Sequence, residues 1–139
     1  MGYHVTMSVD VVIPEQNIDA CLQAINKLHT DENLSKHTHG GRGWVDNPKD
    51  GKFNTLQDAF SAWRYESHAA TNGDVDVDNF NGERWGDDDQ LFKAIAPFAL
   101  RHSHIDVIGE DYCHWRYWFN DKKVEQQDGV IEYQNGIQL

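Results

Sequence analysis

The stretch SHIDVIGEDYCHWRYWFNDKKVEQQDGVIEY, residues 103–133, decides the fold. Turn signals at Gly109, Asn120–Asp121 and Asp128–Gly129 divide it into four short runs: Ser103–Ile108, Tyr112–Phe119, Lys122–Gln126 and Val130–Tyr133. β-Branched and aromatic residues fill the runs, and links of a few residues join antiparallel neighbours. The spacing predicts a β-meander. Within the second run the pleat sends Cys113, Trp115, Tyr117 and Phe119 to one side and Tyr112, His114, Arg116 and Trp118 to the other. The first set is expected in the core. The second set would lie on whichever face of the sheet the helices leave bare.

Upstream, Tyr3–Ile13 is rich in Val and alternates as a strand, ended by Pro14. Ile18, Cys21, Leu22, Ile25 and Leu28 then recur at helical spacing, with Glu15 and Asp19 near the start and Lys27 and His29 near the end, as the helix dipole favours. Thr55 is a candidate N-cap, and Leu56, Ala59, Phe60 and Trp63 predict a second helix to about Glu66. Asp74–Asp78 alternates with valine as a half-buried strand after the Asn72–Gly73 turn. Asp87, Asp88 and Asp89 open a third helix on Leu91, Phe92 and Ile95, shortened by Pro97. The expected fold is α+β: one antiparallel sheet of about five strands with three helices packed mainly on one face.

The 139 residues fit one domain, 1–139, large enough to close a core without a disulfide or metal. Five Trp, five Tyr and six Phe supply the apolar area that an otherwise polar composition lacks. Cys21 and Cys113 each fall on an apolar position of a predicted element and are expected as reduced, buried thiols. No segment has the layout of a signal peptide or the length of a bilayer span, so a cytoplasmic location is expected.

Residues 30–54 lose periodicity and form a long irregular loop, HTHGGRGWVDNPKDGKFN at its heart. Loops of this length often carry function. His37 and His39 stand two apart, but a metal site needs three or four ligands, and His29 and Asp46 match no ligand spacing. Asp74, Asp76 and Asp78 imitate the start of a calcium loop. Asn79 then stands where the sharp turn needs Gly, and Trp85 where the loop needs Glu. Gly40-Gly41-Arg42-Gly43 lacks the strand and helix that flank a phosphate loop. Glu110-Asp111 reads as a solvated turn. No cofactor and no catalytic set is expected.

Net charge is −11, from 23 acidic and 12 basic residues. Such a field opposes nucleic acid and anionic membranes and attracts basic proteins. Trp, Tyr and Arg are the residue types that dominate binding hot spots. The candidate contact set is therefore Tyr112, His114, Arg116 and Trp118, with Asp74, Asp76 and Asp78 for steering and Arg42 and Trp44 from the loop.

With those residues in view, the chain resembles small acidic proteins carried by bacteriophages and mobile elements. These often open with a strand of the Gly2-Tyr3-His4-Val5 kind and close with a Trp-Arg-Tyr-x-Phe hairpin strand, here Trp115-Arg116-Tyr117-Trp118-Phe119. The likeness covers the two ends, and its motifs are structural. It implies an accessory protein, in some cases an antagonist of host defence such as an anti-CRISPR, and it brings no catalytic residues. The expected function is that of a non-enzymatic binding protein occluding a partner with a basic, nucleic-acid-binding surface. Two rival readings are a nucleotide binder using the aromatic face with Arg116 and Arg42, and a metal-dependent hydrolase on His37 and His39. An open sheet face would also suit a homodimer.

Overall fold

Val5, Val9, Val11 and Ile13 bury one edge-to-edge stripe of the first strand, and everything else in the fold is arranged around it. The structure, a computed structural model, describes residues 3–30, 45–46, 48, 51–86, 88–129, 136 and 138, with Arg84 and Trp85 described by backbone alone. Strands are β1 (Tyr3–Ile13), β2 (Tyr65–Ala69), β3 (Val75–Phe80), β4 (Arg84–Trp85), β5 (His104–Gly109), β6 (His114–Asn120) and β7 (Lys123–Asp128). Helices are α1 (Ile18–Thr30), α2 (Leu56–Ala62) and α3 (Asp88–Ile95), with a single 3-10 turn, Glu15–Asn17, leading into α1. All pairings are antiparallel. The sheet order is β2-β3-β1-β5-β6-β7, and the short β4 pairs with the start of β1.

The α+β architecture is the expected one, with six strands in the main path where about five were anticipated. The extra strand is β2. The expected helix to Glu66 ends at Ala62 because Arg64 takes a left-handed backbone (φ 74°). Glycine usually marks such a stop, so the sequence carries no signal for it. Tertiary contacts hold it instead: the Arg64 guanidinium reaches Asp88 at 3.5 Å and lies 4.9 Å above the Phe80 ring. Tyr65 and its successors are thereby released to pair with β3. Other expectations hold more closely. Thr55 caps α2, its hydroxyl accepting from Asp58 N at 3.1 Å, and α3 stops at Ile95 before Pro97.

The helices cover the face carrying Val5, Val9, Ile105, Val107, Tyr117 and Phe119. Phe92 of α3 is central, with its ring centroid 4.7 Å from Tyr117 and 6.3 Å from Phe119. Cys21 and Ile25 of α1 and Leu56, Ala59 and Phe60 of α2 complete one contiguous core. Among the described residues no helix is long and apolar enough to cross a membrane.

Two expectations about the aromatic run need correction. Cys113 is exposed, not core, and Tyr112 is not on the strand. Both lie in the turn joining β5 to β6, so the pleat that governs residues 114–120 does not reach them. Cys21 is buried as expected, and both thiols are free. Likewise Asp74 precedes β3. It accepts from Glu15 N at 2.9 Å and ties the turn to the start of the 3-10 helix. The expected strand over Val130–Tyr133 lies outside the described residues.

Candidate functional site

Strand register decides what the uncovered face presents. In antiparallel neighbours, directly opposed residues share a face. His104 opposes Trp118, which opposes Glu125; Asp106 opposes Arg116, which opposes Gln127; Ile108 opposes His114. Asp10 and Ser8 continue the first two rows across β1. On the far side of β1, Val12 opposes Asp76 and Asp76 opposes His68. None of these side chains points toward the helices.

Trp118 is the centre of this face. The His102 and His104 rings stack on it at 5.1 and 5.8 Å, both within about 26° of parallel, and the Arg116 guanidinium stands 5.9 Å from its centroid. Arg116 is oriented by Asp106 through two hydrogen bonds, Nε at 2.5 Å and Nη2 at 3.2 Å. The guanidinium holds the Asp106 carboxyl below the usual carboxylate range, and the carboxylate raises Arg116 in turn. Both groups are solvent-exposed, so the pair adds at most about 1 kcal/mol to stability. Its effect is positional: it lays a cation beside an indole and fixes both.

The expected contact residues are therefore partly brought together. His114, Arg116 and Trp118 share the face, as the pleat required. Tyr112 sits at its far end, beyond Ile108. Asp76 and Asp78 are on the same face near His68, at 3.9 and 3.5 Å from its two ring nitrogens. Asp74 is engaged in the turn. Arg42, Trp44, His37 and His39 lie outside the described residues, with most of the 30–54 loop. Arg116 pairs with Asp106, and Glu125 opposes Trp118. His102, His104, Asp106 and Ile108 are members that sequence reading missed. For the last three the signal was the alternation of β5, which the register with β6 turns into a shared surface; His102 precedes the strand at a left-handed backbone position (φ 71°).

Such a face offers flat π surfaces, an ion pair, imidazoles and one exposed aliphatic. It suits contact with another molecule's side chains. Arg116 is already bound to a carboxylate, which leaves it a poor partner for a phosphate. Among the described residues no three His, Cys, Asp or Glu side chains converge as a metal would require.

A second polar cluster is internal. Asp88, only 1% exposed at the start of α3, accepts from the Tyr65 hydroxyl at 2.6 Å, from Gly86 N at 3.2 Å and from Arg64 at 3.5 Å. Burial raises the Asp88 carboxyl above its ordinary value against the pull of these partners, and burial beside Asp88 raises the Tyr65 phenol. The cluster locks α3 to the α2–β2 junction. Compared with family models, with curated proteins and with solved structures, the chain finds no match.

Proposed function

We propose that this chain is a non-enzymatic binding protein that docks the uncovered face of its sheet on a basic, nucleic-acid-binding protein and occludes it. One observation carries the reading: the helices leave bare a sheet face centred on Trp118, bracketed by His102, His104 and Arg116, in a chain of net charge −11. A desolvated aromatic with an oriented Arg beside it is the usual make-up of an interface anchor. The acidic field speeds approach to a basic surface and repels nucleic acid itself. The resemblance to phage and mobile-element proteins points to a host or defence protein in the cytoplasm as the target.

The test is affinity capture from nuclease-treated host lysate at low salt, with wild type and Trp118→Ala in parallel and mass spectrometry of the eluates. The expected partner is basic, is lost with Trp118→Ala, and releases its nucleic acid when mixed with the wild type. No capture at low salt, or capture indifferent to Trp118→Ala, overturns the reading. So does a stable homodimer in solution with Trp118 in its interface.

A further inference from the structure

The turn between β5 and β6 holds the wrong kind of residue for its geometry. Gly109 O accepts from Tyr112 N, and Gly109 N donates to Cys113 O, both at 2.9 Å. Glu110 and Asp111 thus make the tight turn, and Tyr112, at φ 64°, takes the left-handed position that closes it. Hairpins of this kind favour glycine there, because a side chain crowds the backbone. Here the position carries an aromatic ring that is 80% exposed. Neither conformation nor burial accounts for a tyrosine at this place.

The mount beneath that ring is stiff. The Tyr3 hydroxyl donates to Asp111 Oδ1, which also accepts from Cys113 N at 3.2 Å. A Cβ on Gly109 would overlap the Tyr3 phenol, so the strand end is closed by Tyr3 as well. The hydrogen bonds hold the Asp111 carboxyl below its usual range and push Tyr3 up to about 12. An anchor fixed in advance loses little freedom on binding.

Tyr112 overhangs a cleft of about 580 Å³ whose walls include His4, Thr6, Glu83, Ile108 and Glu110. The cleft opens where β1 runs between its short pairings, with β4 at Tyr3–His4 and with β3 at Val11–Ile13. Ile108, 40% exposed, is its apolar wall. Among the described lining residues the formal charges are those of Glu83 and Glu110, both negative.

We propose that this cleft is a subsite for one lysine or arginine side chain of the partner protein, with Tyr112 as the anchor. The aliphatic stem lies along Ile108 and the phenol ring, and the cationic head meets Glu83, Glu110 and the ring face. The subsite rests on the reading of the chain as a binder of basic proteins and specifies what it reads. Ile108 lies four residues along β5 from His104, the residue opposite Trp118, so the apolar wall of the cleft and the Trp118 row are about 13 Å apart. They are two ends of one contact face.

The probe is octalysine, titrated at low salt into isotopically labelled protein and followed by amide chemical shifts. Shifts concentrated at Thr6, Ile108, Glu110 and Tyr112 are expected. Tyr112→Gly should weaken binding at least about tenfold, and Tyr112→Phe should stay within about twofold. The Gly variant should melt at the wild-type temperature or up to about 3 °C higher, since the left-handed backbone suits it. Shifts spread evenly over the acidic surface, or undiminished binding by Tyr112→Gly, overturn the subsite. Partner capture lost with Trp118→Ala yet indifferent to Tyr112→Gly also overturns it while leaving the broader reading intact. Octalysine seated in the cleft without any captured partner does the reverse.

Discussion

Asp88 is the acidic side chain that the described structure closes off from water, and its protonation is tied to stability. Burial disfavours its ionised form, so its pKa in the folded protein lies above the ordinary 3.8, despite the Tyr65 and Arg64 contacts that lower it. The native state therefore holds this proton more tightly than the unfolded chain does. Stability from Asp88 grows as pH falls through the raised folded value toward the unfolded one, and is lost as pH rises again. Asp106 and Asp111, both lowered, act in the opposite sense, losing their contribution as pH falls through their folded values. Asp88→Asn removes only the first effect. Urea unfolding between pH 7 and pH 4 should show the wild type gaining on Asp88→Asn as pH drops; a constant gap would refute this. Tyr65→Phe takes away the 2.6 Å donor and should cost about 1–3 kcal/mol at neutral pH, with the wild type's extra dependence on acid moved to higher pH.

Turns decide where the elements of this fold begin, and two of them are built from residues that fit poorly. The β6–β7 hairpin turns on Asp121 and Lys122, with φ of 52° and 63°, between the paired Asn120 and Lys123. Two left-handed residues make the turn type that favours Asp-Gly. Lys122 is exposed and its strain has no compensating contact among the described hydrogen bonds and ion pairs. Lys122→Gly should raise stability by about 0.5–1 kcal/mol, read as a higher urea midpoint with an unchanged slope. No gain would mean that the unfolded chain's added freedom cancels the relief. Asn120–Asp121 was legible as a turn in the sequence because its residue types advertise it. The stop at Arg64 was not, because it depends on Asp88 and Phe80, far along the chain, and so Tyr65 and Glu66, the start of β2, read as helix. The two-residue β4 has no period to detect. The same logic sorts the site: alternation revealed Arg116 and Trp118, whereas Tyr112 and Cys113 were misplaced because a turn, not a pleat, sets their direction. His104 meets Trp118 only through strand register, and His102 from a left-handed backbone position ahead of β5, so no local pattern names Trp118 as their partner.

At the scale of the whole molecule, charge and contact are separable. Asp76 and Asp78 stand on the bare face two strands from β5, across β1, and among the described residues both pair with His68. Asp74 differs, since it accepts hydrogen bonds from Glu15 N and Asn72, so reversing it would disturb the fold along with the field. The double exchange Asp76→Lys, Asp78→Lys adds two units at each site and takes the net charge from −11 to −7. Long-range attraction acts on encounter, whereas anchors act on release. Against the captured partner, the double variant should associate about tenfold more slowly at low salt and show a flatter fall with ionic strength. Its dissociation rate should stay within about twofold. Trp118→Ala should do the opposite, keeping the salt dependence while dissociating at least about tenfold faster. Surface plasmon resonance across a salt series distinguishes these patterns. An unaltered salt slope in the double variant would mean that acidity serves solubility alone. A pure association defect in Trp118→Ala would remove the indole from the contact.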